Sequence, residues 1–240
     1  MGNLLVEEKS IVVPGDVLAD GMDYLPAGGA FRENDKVISA QVGVVELNGR
    51  LVKVMPLAGT YVPKRDDVVI GRVTDVSYSN WFVDVGYAVD AVMSLKDGTT
   101  DFIERGAELS EYYGIGDFVV ARISNVTKSK MIDLSMKGPG LRKLLGGKVI
   151  TICPLKVPRV IGKQGTMVSM IKDYTGCHII VGQNGRIWIS GNSPEDERLA
   201  TEAIGLIERK AHISGLTEVV KEFLDSKRPV KPAAVAENTQ

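Results

Sequence analysis

Residues 157–171 read VPRVIGKQGTMVSMI, and a few of them have the types and spacing to hold an anion. Gly162 and Gly165 enclose Lys163 and Gln164 directly ahead of a run with helical spacing of apolar residues. Without Cβ atoms, a backbone can approach a phosphate chain closely. Amides at the start of the next helix offer donors and a positive dipole end. Lys163 supplies a mobile point charge, and Arg159 a second cation nearby. This geometry suits a sugar-phosphate backbone. Spacing alone does not decide it, because an ordinary interhelical turn looks the same. The other Gly-x-x-Gly match, Gly182 to Gly185, reads as a simple hairpin turn around Asn184-Gly185.

Charge distribution favours the anion reading. The 29 basic and 30 acidic side chains nearly cancel, so no bulk field draws the molecule to polyanions and any such site must be local. From Leu134 to Lys172 there is no Asp or Glu, whereas Lys137, Arg142, Lys143, Lys148, Lys156, Arg159, Lys163 and Lys172 all occur. Cations without carboxylates form a local anion-attracting surface. For Lys137 to Lys148 a solvated basic linker is the competing reading.

Catalytic patterns fail at specific residues. RKLLGGKV would need glycine at Arg142 and a hydroxyl at Val149 to be a phosphate loop. GIGDFV has Val119 where a dinucleotide fingerprint needs its third glycine. His178 and His212 lie in strand and late-helix patterns that suit structural roles, and Cys153 and Cys177 read as a buried, reduced pair. We therefore expect no catalytic residue, no cofactor and no metal. No run of 18 apolar residues occurs, so a soluble, cytoplasmic chain without membrane contact is expected.

The elements that must position the loop follow from periodicity. With 26 glycines and 10 prolines spread along 240 residues, several small strand-rich modules are expected rather than a helical bundle. Residues 11–62 alternate valine-rich runs with turns, and Asn48-Gly49 signals a hairpin, which makes a small all-β amino domain. DVVIGRVTDV, from Asp67, recurs as DFVVARISNV, from Asp117. Alternation puts Val69, Gly71 and Val73 on one face, matched by Val119, Ala121 and Ile123, with Arg72 and Arg122 opposite. Two copies read as equivalent strands of one closed sheet. Five short strands with a long connection before the fourth suggest an oligonucleotide-binding (OB) barrel. Beyond it come a strand, two helices flanking the Gly-x-x-Gly, a hairpin, a helix capped by Ser193-Pro194, and a last helical stripe after Gly215.

VPRVIGKQG followed by CHIIV, NGRIWIS and a long helix resembles the KH domain in its eukaryotic-type order, β-α-α-β-β-α. The resemblance implies that Gly162, Lys163, Gln164 and Gly165, with Arg159 beside them, clamp a nucleic-acid backbone, and that Ile161, Ile179 and Ile180 line an apolar groove. GRVTDVSYSNWFVDVG resembles the first hairpin of the S-one RNA-binding repeat, whose exposed aromatics stack on bases. Phe82 falls on one aromatic position; Ser79 occupies the other, with Tyr78 and Trp81 as substitutes. Arg122, Lys128 and Lys130 correspond to that family's basic residues.

The whole order resembles the RNA-binding cap subunits of the archaeal exosome. That implies a multidomain α+β chain with an amino-terminal β domain (1–65) docking on a ring, a five-stranded OB-type barrel (66–137), a KH domain with an extra C-terminal helix (146–225) and a disordered tail (226–240). It also implies single-stranded RNA as ligand, a hexameric ring of phosphorolytic RNases as partner, three cap copies per ring, and catalysis in the partners. A transcription or translation factor built from the same modules is the alternative.

Overall fold

The computed structural model describes residues 2–57, 59–99, 108–211, 213 and 215–227. It divides into two compact units, Met1–Thr60 and Tyr61–Gln240. The first unit ends ahead of the expected boundary at 65, because Tyr61 is buried in the barrel core that follows and donates to Asp67 Oδ2 at 2.6 Å.

In the first unit the valine-rich runs form β1 (Asn3–Leu4), β2 (Ile11–Val12), β3 (Val17–Asp20), β4 (Leu25–Pro26), β5 (Ala30–Glu33), β6 (Lys36–Ser39), β7 (Gly43–Asn48) and β8 (Leu51–Pro56). They make two four-stranded sheets, ordered β1-β3-β6-β5 and β2-β7-β8-β4. Alternation along β8 sends Val52 and Val54 inward against Val12, Leu18, Val37 and Val45, and leaves Leu51, Lys53 and Met55 outside. The β7–β8 hairpin turns at Gly49-Arg50, one residue later than Asn48-Gly49, since Asn48 pairs with Leu51. Gly49 takes φ 60°, the positive value that a two-residue hairpin loop requires at its first central position.

The second unit begins with the barrel: β9 (Val68–Val76), β10 (Asn80–Asp84), β11 (Ala91–Ser94), the short α1 (Leu95–Gly98), β12 (Phe118–Val126) and β13 (Ile132–Ser135). The order β13-β11-β10-β9-β12 closes through a β12–β13 pairing. The two repeat copies pair with each other, antiparallel, with Val69 opposite Ala121 and Gly71 opposite Val119. Val69, Val73, Val119, Ala121 and Ile123 fill the interior as alternation requires. A Cβ at Gly71 would collide with the Val83 side chain, so the close approach of β10 there favours glycine.

A strand absent from the sequence reading, β14 (Arg142–Leu144), extends the sheet along β12, so part of the basic segment is ordered rather than a solvated linker. The remainder is β15 (Lys148–Thr151), α2 (Val157–Ile161), α3 (Thr166–Thr175), β16 (His178–Val181), β17 (Arg186–Ser190), α4 (Pro194–Arg209) and α5 (Leu216–Lys227). β15, β17 and β16 form an antiparallel sheet in that order, which completes the β-α-α-β-β-α arrangement. The Ser193 hydroxyl caps α4 by accepting from the Asp196 amide. α5 continues to Lys227, past the expected start of the tail at 226, because Leu216, Val220 and Leu224 bury a stripe in the core. Residues 228–240 of that tail lie outside the described residues.

Both faces of the KH-type sheet are covered. Ile179, Ile187 and Ile189 pack under the helices with Val160, Ile171 and Ile204. Trp188 and its neighbours Val149 and Ile180 pack instead on Ile70, Val120 and Leu144 of the barrel sheet. The β16–β17 hairpin fastens this seam. Asn184 is 4% exposed; its Oδ1 accepts from the Ile70 amide at 3.2 Å, and its Nδ2 donates to the carbonyls of Ile70 at 2.8 Å and Val85 at 2.9 Å. The Gln183 amide donates to the Val68 carbonyl. A Cβ at Gly182 would lie 2.9 Å from the Ile70 nitrogen. Gly182 to Gly185 is therefore a docking turn rather than a simple hairpin turn.

Candidate nucleic-acid interface

α2 stops at Ile161 because Gly162 leaves helical geometry, at φ 74° and ψ 175°, while its amide still donates to the Pro158 carbonyl at 2.9 Å. Gln164 and Gly165 follow at φ 55° and 80°. The Thr166 hydroxyl then donates to the Lys163 carbonyl at 3.0 Å, and α3 begins. Both positions need glycine for a positive φ; in addition a Cβ at Gly162 would sit 2.7 Å from Met167 Cβ, so that site has no room, whereas Gly165 has open space. α3 starts without a capping side chain, and its first amide, that of Thr166, donates to the Lys163 carbonyl, which leaves only the later amides of the first turn to face the loop. Arg159, Lys163 and Gln164 are exposed. Arg159 and Lys163 border the same groove, so the structure brings these two cations together.

The expected groove residues separate. Ile161 is half-buried. Ile179 is core, and Ile180, one residue on along the strand, faces the opposite way into the barrel seam. Strand alternation forbids the two from lining one groove.

The barrel candidates separate as well. Trp81 is fully buried: its indole Nε1 donates to the Leu109 carbonyl at 3.1 Å and its ring meets Tyr113 edge to face, with centroids 5.2 Å apart. It plugs the barrel and cannot stack on a base. Phe82 points outward beside it, half-buried, and Tyr78 stands in the preceding turn with 83% exposure. Lys128 and Lys130 are exposed in the β12–β13 turn. Antiparallel pairing of β9 with β12 sends that turn to the opposite end of the strands from Tyr78. Arg122 is half-buried, and a Cβ at Gly138 would come 3.4 Å from its guanidinium. Asp75 lies opposite Phe82 across the β9–β10 pair, so the surroundings of Phe82 suit base stacking more than phosphate contact.

The sequence reading took Asn184 only as a turn residue and passed over Arg186. Arg186 Nη2 donates to Asp84 Oδ2 at 2.6 Å and Nη1 to the Asp84 carbonyl at 2.6 Å. Burial pushes the Asp84 carboxyl up, but the bonds from Arg186 and the Gly86 amide and the charges of Arg186 and Arg72 outweigh it, and the net shift is downward. Asp84 is two residues from Phe82, so this ion pair ties the outer face of β10 to the KH-type sheet. The available signal was Asn-Gly followed by a cation and the alternating Ile-Trp-Ile, with Trp188 facing away from the helices.

His178 is exposed at the start of β16, and His212 lies outside the described residues. Cys177 is buried and Cys153 only half-buried, so the expected burial holds for one of the two. Among the described residues no group of three or more His, Cys, Asp or Glu could hold a metal, and no helix is long and apolar enough to cross a membrane.

A closed OB-type barrel carrying a docked KH-type domain with an exposed glycine loop defines a multidomain protein built from nucleic-acid-binding modules. Comparison with known families agrees segment by segment. The family model "Exosome RNA binding protein RRP4 N-terminal domain" matches residues 9–58, "RRP4, S1 domain" residues 60–105 and "KH domain" residues 147–195. The chain is 42% identical to the exosome complex component Rrp4 of Thermococcus kodakarensis, covering 99% of this chain and 93% of that one. It is 43% identical to the Rrp4 of Methanothermus fervidus, covering 92% and 97%. A crystal structure described as that of a candidate exosome complex RNA-binding protein superposes with a TM-score of 0.65 at 34% identity, covering 71% of this chain and 98% of that one. The chain belongs to the Rrp4 family.

Proposed function

We propose that this chain is a non-catalytic RNA-binding subunit of an exosome. It captures single-stranded RNA and leads the 3′ end into the pore of a ring of phosphorolytic RNases for degradation from 3′ to 5′. The observation that carries the reading is the exposed loop from Gly162 to Gly165, with Lys163 and Arg159 on one groove and an uncapped helix start behind it. The relatives' name as exosome components supplies the complex.

The amino domain docks on the ring. Its support is a row of outward apolar side chains across β2, β7 and β8, where Ile11 pairs with Val44 and Val44 with Met55. Ile11 is 69% exposed and Met55 44%, and contiguous exposed apolar side chains mark interaction surfaces. Three copies on a hexameric ring would place several modest RNA contacts on one strand, and tethering raises the effective concentration at each. The loop grips phosphates, while Phe82 and Tyr78 stack bases. Cleavage belongs to the ring subunits, in the cytoplasm.

Native purification of the full chain from its host tests this. Co-purifying phosphorolytic nucleases, and stimulation of their RNA decay by added chain, are the expected result. Recovery of RNA polymerase or ribosomal subunits in their place overturns it.

A further inference from the structure

A groove of about 410 Å³ opens beside the clamp loop on the side of α5. One wall is made by Arg159, Gly162 and Lys163, and the facing wall by the start of α5, including Thr217 and Glu218. Its floor is apolar, with Met167 and Leu216 at 4% and 6% exposure. We propose that this groove is a second nucleotide subsite, which receives the nucleotide next to the phosphates held at the loop. The inference rests on the RNA reading above and assigns it a further pocket with a base preference.

The occupant follows from three features. The groove shares its wall with the clamp, so a strand gripped there passes the groove mouth. The volume lies within the roughly 300–1,000 Å³ of typical small-molecule sites, and cations on one wall above an apolar floor match a nucleotide's anionic phosphate and flat base. Among the described residues no ion pair neutralises Arg159, Lys163 or Glu218, although all three border the one groove.

Glu218 orients the guest. Its Oε2 lies 3.6 Å from the position a Cβ on Gly215 would take, which places the carboxylate over the start of α5. An ionised carboxylate only accepts hydrogen bonds, so it repels a phosphate and selects a base edge rich in N–H groups. Guanine offers two adjacent donors, N1–H and N2–H. Uracil offers a single N–H between two carbonyls. The phosphate therefore lies toward Lys163 and Arg159, the base toward Glu218, and guanine is favoured over uracil.

The test uses the full chain and fluorescence anisotropy with two single-stranded RNAs of about ten nucleotides, one all uridine and one with guanosine at alternate positions. Wild type binds the guanosine-containing strand more tightly. Glu218→Gln, an exposed change, reduces that preference at least severalfold. Thr217→Trp, which fills the groove from an exposed position, weakens the guanosine strand about tenfold, as loss of one bound nucleotide would, with unchanged melting. If Thr217→Trp costs stability, Glu218→Gln carries the test alone. Should both variants bind both RNAs as wild type does, while Lys163→Glu weakens both, the clamp stands and the subsite is wrong. If Lys163→Glu also has no effect, the underlying RNA reading fails first.

Discussion

Two segments of this chain share the spacing Gly-x-x-Gly and have opposite fates. Gly162 to Gly165 joins two helices and projects Lys163 and Gln164 into solvent. Gly182 to Gly185 joins two strands and buries Asn184 against the barrel backbone. In both, glycine permits close approach. The difference is what lies outside: in the first, where only Met167 crowds Gly162, the loop tip faces open space and is free for the proposed RNA backbone; in the second the barrel strand β9 covers it. A glycine pattern therefore reports that a backbone must come near something, and the flanking elements and inner side chains decide what that is.

The comparison breaks most sharply at Asn184. Asn184→Ala removes the Asn184 bonds to the Ile70 amide and the Val85 carbonyl and leaves the Ile70 carbonyl with only the longer bond from Arg186 Nη1, at 3.5 Å. Each such buried group costs about 1–3 kcal/mol, so this is the largest stability loss expected, read by denaturant unfolding. A melting curve like that of wild type would show the docking turn to be incidental.

Lys163→Glu is the mirror image, with its effect in binding and little in stability. RNA affinity should fall about tenfold at low salt, and the slope of log affinity against log salt should flatten by about one phosphate contact. Next comes Gly165→Ala. With open space around it and φ at 80°, the cost is backbone strain alone, about 1 kcal/mol by thermal unfolding, together with weaker RNA binding.

The smallest effect is at the seam's ion pair. The Asp84 carboxyl titrates below its ordinary value of 3.8 in the folded chain. Its stabilising contribution is thus present above pH 3.8 and is lost as pH falls through the lowered folded value. Asp84→Asn should therefore be slightly less stable than wild type at pH 7, and the gap should close in acid. A gap that persists unchanged in acid would rule out the carboxylate as its source.

The fold was legible because alternation and turn chemistry point the same way along most of the chain. The repeat at Asp67 and Asp117 identified two equivalent strands, and the Ser193-Pro194 cap marked the start of α4 within a residue. Trp81 was misplaced although the signal was there: Trp81, Val83 and Val85 share one strand face, and all three are buried. Ile180 and β14 were not legible, since nothing local tells a strand which partner will cover its second face.

Local sequence determined the elements, the glycines that need positive φ, and the exposed cationic loop, because each depends on neighbours a few residues away. Only tertiary structure decided that the barrel and the KH-type domain form one unit and that the second glycine pair is their fastening. It also decided that Tyr78 stands at the opposite end of the barrel strands from Lys128 and Lys130. These depend on contacts such as Asn184 with Ile70, which lie far apart in the chain and leave no periodic trace in it.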